Sequence, residues 1–189
     1  LKNYYTVAYQ SIHGQGLHFN GMLYPYGDNL IFADGQPFLT KLFQFFIEPD
    51  VTKGSTIIAI MNLLMIASLV VCAWCVHRIL VWSLVNPWFA VPFSVCIAFL
   101  SPQVSRFVGH YALAYTFFIP MCWLLIASFE RYRKPILSSV SSILLITLFG
   151  FIHPYYIFIF VIFLGATTAW QVVEVRFQWS KIKFFIPKL

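Results

Sequence analysis

The sequence predicts an all-α, polytopic integral membrane protein, with about five transmembrane helices and an extracytoplasmic loop that carries an interfacial amphipathic helix. Three observations lead there. Apolar residues make up 60% of the 189-residue chain and charged residues only 10%. The mean hydropathy is +0.81, which gives a surface that water would not keep in solution. The apolar residues gather in runs of bilayer length, and the basic residues cluster at the ends of those runs.

Residues 1–54 combine Gly14, Gly16, Gly21, Gly27 and Gly35 with Pro25, Pro37 and the carboxylates Asp28, Asp34, Glu48 and Asp50, the composition of a loop rather than a span. Within this loop, residues 37–48 place Thr40, Lys41, Gln44 and Glu48 on one helical face, while Phe38, Leu39, Leu42, Phe43, Phe45 and Phe46 cover the rest. That pattern suits a helix lying in the membrane interface. Residues 55–189 form the transmembrane region. A first span is expected over 55–76, stopped by His77 and Arg78, and a second over 80–100, where Asn86, Pro87 and Pro92 predict a kinked or partly broken helix. A polar hairpin over 101–110 leads to a third span over 111–129, ended by Glu130, Arg131, Arg133 and Lys134. A fourth span covers 136–151, and His153 and Pro154 then turn the chain. A fifth covers 155–173 and is followed by a basic cytoplasmic tail through Arg176, Lys181, Lys183 and Lys188. No internal repeat is evident. The chain opens on Leu1 and shows no signal peptide, so a fragment of a longer protein is expected.

Five crossings sort the loops onto two sides. Arg78, Arg131, Arg133, Lys134, Arg176, Lys181, Lys183 and Lys188 fall on one, whereas Lys2, Lys41, Lys53 and Arg106 share the other with the four loop carboxylates. The positive-inside rule makes the first side cytoplasmic. Topology therefore accounts for the net charge of +6, and no basic stripe with interleaved aromatics points to nucleic acid. Cys72, Cys75, Cys96 and Cys122 all lie in apolar runs and read as small hydrophobes; the Cys72/Cys75 pair is too deep in its span for redox work.

The same sidedness brings Asp28, Asp34, Arg106, His110 and His153 to one membrane surface, and ionisable groups gathered near a membrane suggest a site. Each has a structural alternative. Asp34 could cap the helix that begins at Pro37, Asp28 could form a turn, and Arg106 could anchor its hairpin at headgroup level. A guanidinium facing a cavity is also well shaped to hold phosphate. His110 and His153 read singly as interfacial and turn residues, His77 as a boundary residue, and His13 and His18 as a weak metal pair. Tyr24, Tyr26, Tyr111, Tyr115, Tyr155 and Tyr156 collect at the same surface, either as an aromatic belt or as the lining of a groove for a sugar or isoprenoid chain.

The stretch HFNGMLYPYGDNLIFADGQP, residues 18–37, followed by an interfacial helix and a span, resembles the first extracytoplasmic loop of the GT-C superfamily of membrane glycosyltransferases, in particular their bacterial relatives. Gly109-His110-Tyr111-Ala112-Leu113 resembles a segment that opens a later span in those enzymes. The resemblance covers about the first two thirds of the chain. It implies transfer of a sugar from a lipid-phosphate donor, typically a polyprenyl phosphate, to an acceptor outside the cytoplasm. Asp34 would act as general base or help hold a divalent metal, Mg or Mn. Arg106 and His110 would face the leaving phosphate, and Asp28, His153 and Tyr26 would complete the substrate site. The partners implied are membrane lipid and the lipid-phosphate sugar donor. Asp28 and Asp34 lie six residues apart and form no D-x-D pair, so metal dependence does not follow.

Two other functions fit the same composition. A multi-pass transporter or flippase of lipid-linked or polar solutes would place ionisable groups near the bilayer midplane, and the spans here hold none there. A non-catalytic membrane subunit would tolerate alanine at Asp34, Arg106 and His110 together.

Overall fold

The computed structural model describes residues 2–14, 16–19, 26–31, 35–48, 50–132 and 135–185. Those residues are mostly helical and form seven α-helices: α1 (Lys2–His13), α2 (Pro37–Phe46), α3 (Gly54–Trp82), α4 (Pro87–Leu100), α5 (Phe118–Tyr132), α6 (Pro135–Gly150) and α7 (Tyr155–Phe185). Two short antiparallel strands, β1 (His18–Phe19) and β2 (Asp28–Asn29), pair His18 with Asn29 and Phe19 with Asp28 between α1 and α2. Among the described residues, three segments are long and apolar enough to cross a membrane: Gly54–Trp82, Tyr111–Ser128 and Tyr155–Val173. The second opens on a 3-10 turn at Tyr111–Leu113 and becomes α-helix only at Phe118. Pro87–Leu100 and Ser139–Gly150 are apolar but shorter.

The N-terminal region departs from the loop that its glycines predict. Residues Lys2–His13, which precede those glycines, form a helix that buries Thr6, Val7, Gln10 and Ser11 and leaves Tyr5 and Tyr9 exposed. Polar residues at helical spacing hid this helix from a hydropathy reading, since Gln10 and Ser11 are buried through hydrogen bonds rather than through apolarity. The Gln10 amide donates to the His18 carbonyl at 3.0 Å, and the Ser11 hydroxyl donates to the Val7 carbonyl at 2.7 Å.

In α2 the polar face expected to meet solvent turns partly inward. Thr40 is fully buried, and its hydroxyl donates to the Gly35 carbonyl at 2.8 Å. Gln44 donates to the Gln10 and Gly14 carbonyls at 2.8 and 3.2 Å, closing the C-terminal end of α1. The residue at the start of α2 is Gln36, whose side chain makes no capping bond; Asp34, the expected cap, lies outside the described residues.

His77 and Arg78 do not end α3, which continues to Trp82 with the Arg78 guanidinium 5.9 Å from the Trp82 ring. A long cationic side chain can leave an apolar helix at its edge without breaking it. The break falls at residues 83–86 instead, where Leu84 has φ 65 and the Asn86 side chain accepts from the Trp88 amide at 3.0 Å. Pro87 opens α4 at a first-turn position that needs no amide donor, and Pro92 remains inside the helix. Cys72, Cys75 and Cys122 are buried free thiols, whereas Cys96 is exposed on α4. At the far end, the tail continues α7 to Phe185 as helix.

The principal core gathers at one end of the bundle. It joins Val7 of α1, Phe43 of α2, Ile57 and Met61 near the start of α3, Phe118 at the start of α5, Phe149 at the end of α6 and Tyr156 at the start of α7. The rings of Phe118, Phe149 and Tyr156 lie 4.4–5.1 Å apart between centroids. This junction fixes where the polar segments of the chain meet. Arg133, Lys134, Lys188 and Tyr24, which entered the assignment of sides and of the aromatic surface, are outside the described residues.

Candidate anion cleft

After α4 the chain turns at Ser101, whose hydroxyl bonds the Gln103 side chain, and coils into a 3-10 turn over Val104–Val108. The Arg106 amide donates to the Gln103 carbonyl at 3.0 Å. The Arg106 carbonyl in turn accepts from both Gly109 and His110, at 3.0 and 2.9 Å. Winding the backbone around that one carbonyl puts residues 106 and 110 on a common concave wall. The resulting cleft measures about 380 Å³ and is lined by Pro102, Ser105, Arg106, Gly109 and His110. Arg106 and His110 are both exposed to it. A Cβ at Gly109 would meet nothing within 4 Å, so the glycine leaves the wall open rather than packed. A planar guanidinium beside an imidazole is a donor pair suited to the oxygens of a phosphate.

A buried latch around Gln36 ties three parts of the chain together. Gln36 is fully buried with φ 45 and ψ 67, a left-handed conformation that costs a non-glycine residue about 1–2 kcal/mol. Its side-chain oxygen accepts from the Tyr115 hydroxyl at 2.8 Å, and its carbonyl accepts from the Thr40 amide at 3.0 Å. The Phe38 amide, one of the donors that a helix start leaves over, bonds the Phe151 carbonyl in the turn between α6 and α7 at 3.1 Å. Tyr115 stacks edge-on against Phe149 at 5.8 Å. The segment leading out of residue 34 is thereby held against both the 111–116 strand of chain and the 151–153 turn.

Residues 8–187 match the model of a family described as a domain of unknown function, DUF6311. The chain belongs to that family. No curated protein and no solved structure matches it.

Of the residues that sequence reasoning selected, this DUF6311 chain brings Arg106 and His110 into one cleft. His153 is not part of that lining; it is buried in the α6–α7 turn, where its Nδ1 accepts from the Tyr155 amide at 3.3 Å and its ring lies 4.8 Å from that of Tyr155. Asp28 sits in β2 and takes the Asn29 amide at 2.7 Å, a local turn bond. Tyr26 stands 86% exposed beside it, outside the cleft lining. Asp34 is outside the described residues. Among the described residues no group of three His, Cys, Asp or Glu side chains could hold a metal.

Sequence reasoning missed Gln36 and the pairing of Ser68 with Thr116 in the DUF6311 fold. Ser68 and Thr116 are both buried, their hydroxyls are 3.3 Å apart, and Thr116 also donates to the Ser68 carbonyl at 3.0 Å. The only signal available for Gln36 was an uncharged polar residue between Gly35 and Pro37. A residue before proline is normally steered to extended backbone, so its left-handed form was not legible.

Proposed function

We propose that the chain is a five-span membrane protein, with α2 lying in the interface, that transfers a sugar from a lipid-phosphate donor to an acceptor on the extracytoplasmic face, in the manner of GT-C glycosyltransferases. The observation that carries this reading is the cleft holding Arg106 and His110, built at the end of the bundle to which the Gln36 latch also fastens the segment that follows Asp34. In the proposed reaction the Asp34 carboxylate takes the proton of the acceptor hydroxyl as its oxygen attacks the anomeric carbon. The bond from that carbon to the donor phosphate oxygen breaks, and the electron pair leaves with the phosphate. Arg106 and His110 hold the departing charge, where preorganised donors act most strongly.

Asp34→Asn in the full-length protein should abolish sugar transfer from a polyprenyl-phosphate donor while leaving membrane insertion unchanged, measured by radiolabelled transfer beside membrane flotation. A variant that keeps its transfer rate would remove Asp34 from the mechanism.

A further inference from the structure

The chain has four cysteines and four methionines. Met22 lies outside the described residues, and Cys96 is exposed on α4. The other six stand on two helices in contact, Met61, Met65, Cys72 and Cys75 on α3 and Met121 and Cys122 on α5, and all but Met121 are buried. Leucine or valine would fill such a seam with better-defined rotamers. Sulfur adds a polarisable lone pair, which a soft metal ion can use.

Three of these sulfurs converge. The Cys75 Sγ lies 4.0 Å from the Met121 Sδ across the seam between α3 and α5. Cys72 precedes Cys75 by three residues, a spacing that sets both side chains on one face of α3 with Cβ atoms about 5–6 Å apart. Cys72 faces the same seam, since its side chain is hydrogen-bonded with that of Thr116. A trigonal ion with metal–sulfur bonds of about 2.3 Å spaces its ligand sulfurs about 4 Å apart. Cys75 and Met121 already stand at that spacing, and Cys72 lies within reach of the third corner. The Ser68 and Thr116 hydroxyls, 3.3 Å apart, supply polar neighbours that the sequence pattern did not show.

We propose that Cys72, Cys75 and Met121 form a site for a soft monovalent metal ion, Cu(I), held between α3 and α5. Thiolate and thioether ligands select Cu(I), whereas zinc takes four ligands in closed sites and only three sulfurs converge here. On binding, the S–H bonds of Cys72 and Cys75 break, both protons leave to solvent, and the sulfur electron pairs form the bonds to copper. No electron is gained or lost. The ion neutralises one of the two thiolate charges, and the Thr116 hydroxyl beside Cys72 meets the other. Nothing in this site depends on sugar transfer.

The test uses the full chain purified in detergent with Cys96→Ser, which removes the exposed thiol, mixed anaerobically with Cu(I) against a chromogenic Cu(I) chelator. The protein should retain about one Cu(I) per chain, and X-ray absorption should show a shell of sulfur alone at about 2.3 Å. No retention, or a shell of nitrogen or oxygen, would overturn the site. Cys75→Ser should weaken binding by about a hundredfold and the volume-conserving Met121→Leu by about tenfold, while Cys122→Ser binds as the parent does. Unchanged binding in either of the first two variants, or a loss in Cys122→Ser as large as in Cys75→Ser, would overturn this set of ligands. Zn(II) should not displace the copper; displacement would overturn the assignment to a soft monovalent ion.

Discussion

Gln36 shows how a single residue can hold a conformation that its own backbone disfavours. Its left-handed φ of 45 is tolerated because the Tyr115 hydroxyl and the Thr40 amide both bond to it in a fully buried site. Tyr115→Phe leaves the buried Gln36 oxygen without that donor and should lower stability by about 1–3 kcal/mol. Gln36→Ala loses the same bond and keeps the backbone strain, whereas Gln36→Gly loses the bond and relieves the strain. The glycine variant should therefore be the more stable of the two by about 1 kcal/mol, read from thermal unfolding in detergent; equal stability would mean that the backbone there is unstrained. Asp50 acts at the same scale. Hydrogen bonds from the Thr52 hydroxyl, then from the Thr52 amide, hold its carboxyl below the ordinary 3.8. A depressed carboxyl stabilises the fold above its unfolded value and loses that contribution as pH falls through the folded one. Asp50→Asn should accordingly speed amide exchange at Thr52 at neutral pH, and the two proteins should converge well below pH 3.8.

At the scale of elements, the seam between α1 and α2 depends on polar groups that a hydropathy pattern assigns to solvent. Gln44 supplies donors to two carbonyls at the end of α1, and Gly14 must be glycine because a Cβ there would come within 2.3 Å of the Gln10 carbonyl oxygen. Gln44→Ala should release α1 at a cost of about 1 kcal/mol, seen as roughly fivefold faster proteolysis near Gly16, with the α3–α4 hairpin unaffected. Unchanged proteolysis would show that the apolar contacts of Val7 and Phe43 suffice to dock α1. The existence of α3, α5, α6 and α7 was legible because their apolar runs are long, even though Pro120 lies in the first turn of α5 and Gly165 within α7. Their ends were less so: Arg78 sits within α3, and Tyr111 to Phe117 reads as span but folds as a 3-10 turn and bend. Side-chain length and local hydrogen bonds set those ends, and hydropathy measures neither.

For the whole molecule, the arrangement that matters is the convergence of distant segments on one end of the bundle. Phe38 bonds Phe151, and Gln36 bonds Tyr115, across long stretches of chain. If that end is extracytoplasmic, cysteines introduced at Leu17 and Ser105 should react with a membrane-impermeant maleimide added to intact cells, and one at Ser83 should not. Labelling of Leu17 without Ser105 would separate the two halves of the site.

Composition and the spacing of apolar runs determined by themselves that the chain is helical and suited to lipid, because both follow from the solvent that each stretch of side chains can tolerate. They also singled out Arg106 and His110, since charged groups stand out against an apolar background. Only the structure decided that these two share a cleft, that Gln36 takes a left-handed conformation at the start of α2, and that Ala98 near the end of α4 packs with Cys72 and Val76 of α3. The Gln36 and α4 placements depend on hydrogen bonds and packing between residues far apart in sequence, which no local pattern records, whereas the cleft is wound by turn bonds within residues 103–110 that hydropathy does not measure.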